Sequence, residues 1–137
     1  VPRLRVDRFD FREFADPDTG AKVTRLTPPD RYCVRNYFYQ KAFTGDGRRL
    51  VFGAAADGAD GSPVDLWLLD LDSGEARQLT SGGQANVQGC YLSADDRAVY
   101  YSRGRSNHVR LDLENLAEET VYTVPDAWVA YGTWEAD

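Results

Sequence analysis

The chain has 137 residues, 42% hydrophobic and 12% aromatic, with 12 glycines and 6 prolines, the composition of a soluble, loop-punctuated globular protein rather than a disordered or fibrous one. Its formal net charge of −6 argues against general nucleic-acid affinity, and no apolar run approaches the roughly 20 residues of a membrane-spanning helix. The expected fold class is all-β.

The charge is uneven. Residues 1–49 carry 11 Lys and Arg against 7 Asp and Glu, a balance of +4, which leaves −10 for residues 50–137. An anionic ligand is therefore drawn to the N-terminal stretch, unless the bias is only the scatter of a solvated surface. Val1-Pro2-Arg3-Leu4-Arg5 does not lead into a signal-peptide core, and there is no methionine, so the chain is expected to lack its true start.

The first element is a hairpin: Phe9 to Phe14, the turn Asp16-Pro17-Asp18-Thr19-Gly20, then Val23 to Leu26, with strands that should pair outside the elements that follow. Four strands are predicted next near 38–43, 49–54, 65–71 and 76–80, and four more near 87–92, 98–102, 108–113 and 119–124. These rest on β-branched and aromatic runs bounded by Asp, Gly and Ser. Asp46-Gly47 and Ser73-Gly74 suit hairpin turns, since glycine reaches positive φ without a Cβ penalty. Val129 to Trp134 resembles the first strand of another unit.

The two sets of four are copies of one another. Leu69-Asp70-Leu71-Asp72 lies over Leu111-Asp112-Leu113-Glu114 at an offset of 42, and Ala42 to Phe52 over Tyr91 to Tyr101 at an offset of 49; a longer internal loop, Ala55 to Val64, accounts for the difference. Leu50-Val51-Phe52 and Leu66-Trp67-Leu68-Leu69 are apolar on consecutive positions, so both faces of these strands should be covered. A period of roughly 40–50 residues with four strands per copy describes β-propeller blades stacked face to face. The organisation expected is an N-terminal hairpin segment over 1–30, one blade over 31–85, a second over 86–126 and the start of a third over 127–137. Two blades alone leave apolar faces open, so the propeller should be incomplete.

Cys33 and Cys90 lack a metal or redox spacing and are expected to be buried, reduced thiols. His108 is expected at a surface or sheet edge. Asp70, Asp72, Asp112 and Glu114 resemble a calcium cluster, but they recur at equivalent strand ends and read as solvated turn supports. Trp67, Trp128 and Trp134 are expected to pack between blades.

The Asp-Gly turn, Leu-Asp-Leu-Asp-Ser-Gly and Arg-Gln-Leu-Thr together resemble a TolB-type propeller repeat, which identifies a fold and not an activity. Val23-Thr24-Arg25-Leu26-Thr27-Pro28-Pro29-Asp30, Arg35-Asn36-Tyr37-Phe38-Tyr39-Gln40-Lys41, Phe43-Thr44 and Tyr131-Gly132-Thr133-Trp134 are similar to the N-terminal region of oligogalacturonate lyases. Val34 and Ala42 stand where that family more often has histidine and cysteine. The resemblance implies a seven-bladed, cytoplasmic propeller that cleaves short unsaturated pectin fragments by β-elimination with a divalent metal, typically Mn2+. Its metal and catalytic residues, histidines with a glutamine and an arginine, belong to later blades, so neither a catalytic residue nor a metal ligand is expected in this segment.

In a propeller, the connections entering the innermost strands gather beside the central channel. They would place Arg35-Asn36-Tyr37, Asn86-Val87-Gln88 and Ala130-Tyr131-Gly132 around one rim. Candidate substrate contacts are Arg35, clamping a uronate carboxylate through two parallel hydrogen bonds, Asn36 on sugar hydroxyls, Tyr37 and Tyr39 stacking on a pyranose, and Lys41 adding positive charge. The competing reading pairs Arg35 with an acidic neighbour and packs the tyrosines between blades. Expected partners are the anionic pectin oligosaccharide and the remaining blades, with no nucleic acid and no membrane. The rival functions are a non-catalytic TolB-like propeller segment for protein interaction and the propeller of a serine peptidase.

Overall fold

The computed structural model describes residues 4–58 and 63–125. Among them lie eleven strands and no helix: β1 (Val6–Arg8), β2 (Arg12–Ala15), β3 (Lys22–Arg25), β4 (Cys33–Val34), β5 (Arg49–Ala55), β6 (Val64–Asp70), β7 (Glu75–Gln78), β8 (Tyr91–Leu92), β9 (Ala98–Arg103), β10 (Asn107–Asp112) and β11 (Glu118–Thr123). They form a five-stranded sheet ordered β1-β7-β6-β5-β4, a four-stranded sheet ordered β11-β10-β9-β8 and a two-stranded sheet, β2-β3. Every pairing is antiparallel.

The predicted repeat reappears as repeated hydrogen bonds. At one turn Thr44 Oγ1 donates to Asp46 at 2.6 Å and accepts from the Arg49 amide at 3.0 Å. At its counterpart Ser93 Oγ donates to Asp95 at 2.7 Å and accepts from the Ala98 amide at 3.0 Å. The backbone then turns through positive φ, 70° at Gly47 and 61° at Asp96.

Consecutive apolar positions are buried because strand side chains alternate between faces that are both covered. Val51 and its partner Leu68 turn toward the second sheet and share a core with Val99, Tyr101, Val109 and Leu111. Phe52 and Trp67 turn the opposite way, against Phe9, Phe11 and Leu26. Burial of each such side chain contributes roughly 1.5–3 kcal/mol. The sheets approach closely at Gly53, where a Cβ would stand 2.7 Å from Val87 and 2.9 Å from Val64.

Three expectations are corrected. The strand predicted over 38–43 is split: Cys33 and Val34 pair with Ala54 and Gly53, the chain leaves the sheet, and it returns at Phe43 opposite Leu50. The strand predicted over 87–92 is split likewise, with Ala85 opposite Arg103 and Tyr91–Leu92 opposite Tyr100 and Val99. Finally, the N-terminal hairpin consists of β2 and β3 alone; Phe9 is a core residue whose amide donates to Gly74 O at 2.8 Å. The preceding strand β1, which no pattern announced, adds to β7 at the edge of the first sheet. Val129 to Trp134, with Trp128 and the Tyr131 to Trp134 run, lies outside the described residues.

Candidate functional site

The two interruptions of the innermost strands lie side by side. Residues 35–42 and 86–90 are the excursions, and they are laced together by main-chain groups: the Tyr37 amide donates to Gln88 O at 2.9 Å and the Leu92 amide to Lys41 O at 2.9 Å. The first excursion folds into a turn, closed by the Gln40 amide donating to Tyr37 O at 2.8 Å. Two of the three connections expected at a common rim are therefore neighbours. The third, Ala130 to Gly132, lies outside the described residues.

Asn36 and Lys41 are engaged in contacts within the protein. Asn36 is 2% exposed, and its Nδ2 donates to Cys90 O at 2.9 Å. It satisfies a buried carbonyl between the sheets, and its Oδ1 lacks a hydrogen-bond partner among the described residues. Lys41 reaches Asp96 at 2.7 Å and donates to Ser93 O and Ala94 O, both at 3.2 Å. Its charge is committed to the second sheet. That contact, with an N–H bond from Gly45, holds the Asp96 carboxyl below its usual range.

Arg35, Tyr37 and Tyr39 are presented outward. Arg35 is exposed and has neither an ion-pair nor a hydrogen-bond partner among the described residues. Tyr37 and Tyr39 are 42% and 66% exposed, so they do not pack between the sheets. Between them Phe38, which the sequence reading did not single out, is 62% exposed. Its ring centroid lies 4.5 Å from that of Tyr37 and 4.1 Å from that of Tyr39. The available signal was the run of three aromatics, which a strand would split between its two faces but a turn can gather on one side. An unpaired guanidinium carried on the same excursion as exposed aromatic rings suits a ligand that is both anionic and ring-shaped, by ion pairing and by stacking.

Other candidates resolve into structure. Asp70 and Asp112 accept the amides of their own turns, Asp72 and Ser73 in one and Glu114 and Asn115 in the other. Asp72 pairs with Arg48 at 2.6 Å. Trp67 is fully buried, with the Arg31 guanidinium 4.3 Å from its ring centroid. His108 is not at a sheet edge: it sits half-buried in β10, between β9 and β11, and burial lowers its pKa. Both thiols are free, Cys33 half-buried and Cys90 fully buried; burial pushes the Cys90 thiol up to about 12. Among the described residues no group of three or more His, Cys, Asp or Glu side chains is placed to hold a metal ion, and no helix is long and apolar enough to cross a membrane.

A family model described as oligogalacturonate lyase matches residues 5–137. The oligogalacturonate lyase of Dickeya dadantii is 50% identical over 129 residues, and the oligogalacturonide lyase of Pectobacterium atrosepticum 51% identical over 127. These alignments take in 94% and 93% of this chain but only 32% of each relative, so the chain spans about a third of their length. A solved oligogalacturonate lyase from Vibrio parahaemolyticus superposes with a TM-score of 0.87 at 45% identity over 96% of this chain and 34% of its own. An oligogalacturonate lyase solved in complex with manganese has the same TM-score and coverage at 50% identity.

Proposed function

Because the chain belongs to the oligogalacturonate lyase family, we propose that it is the N-terminal part of an enzyme that cleaves short unsaturated pectin fragments by metal-assisted β-elimination. In that enzyme this segment supplies scaffold and substrate contacts. The observation that carries the reading is the unpaired Arg35 on the same excursion as the exposed Tyr37-Phe38-Tyr39 rings, in a chain matched to the family almost from end to end. Arg35 binds a uronate carboxylate through paired N–H donors, and Tyr37 and Tyr39, joined by Phe38, receive the sugar ring. Asn36 and Lys41 hold the loop on which those side chains stand.

The two larger sheets, apart from the edge strand β1 that the N-terminal segment adds to the first, are read as consecutive propeller blades over 31–85 and 86–126, with 1–30 as an N-terminal hairpin segment and 127–137 as the start of a third blade. Support comes from their shared core and from the adjoining interruptions of their innermost strands. Further TolB-like blades, to a total of seven, complete a cytoplasmic enzyme. Removing the C5 proton beside a uronate carboxylate requires a base and a cation to stabilise the developing charge. The described residues do not fit a metal centre, having no suitable cluster and one half-buried histidine, so the metal and the base are assigned to the rest of the enzyme.

The test is formation of unsaturated uronate, followed by ultraviolet absorbance with oligogalacturonate and manganese. The intact protein is expected to be active and the 137-residue chain inactive. An intact protein inert toward short oligogalacturonates would sink the reading; activity of the 137 residues alone would overturn the placement of the reacting groups.

A further inference from the structure

A cleft of about 260 Å³ opens between the two larger sheets, with no residue of the 35–42 excursion on its walls. Leu4, Leu79 and Leu116 form its apolar part. Leu116 stands there at a conformational cost. It holds the turn position that Gly20 and Gly74 hold in the other hairpins, where the amide donates to the aspartate carbonyl four residues before. Its φ of 59° is one that bulky residues rarely adopt. What leucine adds over glycine is a side chain that packs on the core shared by the two sheets and lines the cleft.

The polar part of the wall is built on β9 and β11. Tyr101, only 1% exposed, donates its hydroxyl to Glu118 at 2.5 Å and accepts from Arg103 Nη2 at 2.7 Å. The same Nη2 donates to Glu118. Burial and the Glu118 carboxylate push the Tyr101 pKa up, so the hydroxyl keeps its proton and the trio sums to zero charge. Arg103 Nε and Nη1 are left without a partner among the described residues. Gln84 is fixed beside Arg103 through the main chain: its carbonyl accepts the Gly104 amide at 2.9 Å, and Ala85 pairs with Arg103. Gln84 and Ser81 are both exposed on the cleft, and neither side chain is bonded to another described residue.

We infer that this cleft binds a single sugar acid, a ring-sized monocarboxylate rich in hydroxyls. The spare donors of Arg103 take the carboxylate, Ser81 and Gln84 meet hydroxyls, and the leucines cover the C–H face of the ring. Glu118 sets the charge that is accepted. A dianion such as phosphate would be repelled by it more strongly than a monocarboxylate. The volume lies below the roughly 300–1,000 Å³ of sites for drug-sized molecules, which suits one ring and not an oligosaccharide. The cleft shares no residue with the Arg35 surface, so the inference stands apart from the lyase reading.

Galacturonate titrated into the intact protein, with the amide resonances of Ser81, Gln84 and Glu118 followed by NMR, tests the site. Saturable displacement of these resonances is expected, and galactose, which lacks the carboxylate, should bind about 10-fold more weakly. Arg103→Gln should bring galacturonate down to the level of galactose. Gln84 is exposed, so Gln84→Glu reads the same charge preference without touching the core: it should weaken galacturonate roughly 3-fold or more and galactose less. Resonances that do not move, equal affinity for the two sugars, or galacturonate affinity unchanged in either variant would each overturn the inference. Lyase activity does not enter the readout, so the two claims fail separately.

Discussion

The two repeat units share a frame and differ in what lies against it. The first is backed by the N-terminal segment, with Phe9, Phe11 and Arg31 on its outer face; the second has no such cover among the described residues. Gly74 shows the consequence. A Cβ there would stand 2.4 Å from Phe9 O, whereas the equivalent residue in the second unit is Leu116. The innermost strands show a second difference. The first excursion carries Arg35 and three aromatics outward, and the second is a short platform whose carbonyls at Gln88 and Cys90 hold the first in place. A repeat thus fixes where a loop emerges, and the loop's own residues decide whether it supports or contacts.

The largest expected contrast is at Trp67 and its register equivalent Val109. Trp67→Ala should cost roughly 3–5 kcal/mol, and Val109→Ala less, because the cavity is smaller; chemical denaturation of each variant measures both, and equal losses would break the comparison. Next is Gly53, whose equivalent in the second unit is Ser102, fully buried. Gly53→Ala pushes a methyl into Val87 and should cost about 1–3 kcal/mol, while Ser102→Ala, which adds nothing, should cost less. Gly74→Ala meets both a positive φ of 77° and Phe9 O. It is expected to lower the melting temperature more than Gly47→Ala, where φ is also positive but nothing lies within 4 Å.

Acid should affect both units together and by a smaller amount. Asp46 and Asp95 are held below the ordinary value of 3.8 chiefly by the hydroxyls of Thr44 and Ser93, Asp70 and Asp112 by turn amides, and Asp96 by Lys41. Depressed folded values mean that this stabilisation is fully present above the unfolded value and is lost as pH falls through the folded ones. A melting temperature that declines below pH 3.8, with Lys41→Met removing from that decline only the part of the Asp96 share that Lys41 supplies, is the expected profile.

Much of this architecture was legible in the sequence because the repeat is local. Asp-Gly and Ser-Gly turns and doubly apolar strands announce themselves within a few residues. The split strands were not legible, since the aromatics of Tyr37-Phe38-Tyr39 suit a strand as well as a turn, and the carbonyls that decide between them, accepting from the Tyr37 amide and the Asn36 side chain, belong to Gln88 and Cys90, about 50 residues away. The same distance hid the fates of Asn36 and Lys41, which read as polar rim residues until Cys90 O and Asp96 are found beside them. β1 is only Val6-Asp7-Arg8, too short to show a period. Arg35 was the readiest candidate to recognise, and the structure leaves it unpaired among the described residues.

Steady-state kinetics of the intact protein carrying Arg35→Ala bear most directly on whether this segment contacts the substrate. Loss of a paired guanidinium–carboxylate contact made equally in ground and transition states should raise KM for oligogalacturonate by about 10-fold or more, with kcat and melting temperature little changed. An unchanged KM would contradict the account, and a loss of kcat at constant KM would place Arg35 among the reacting groups instead.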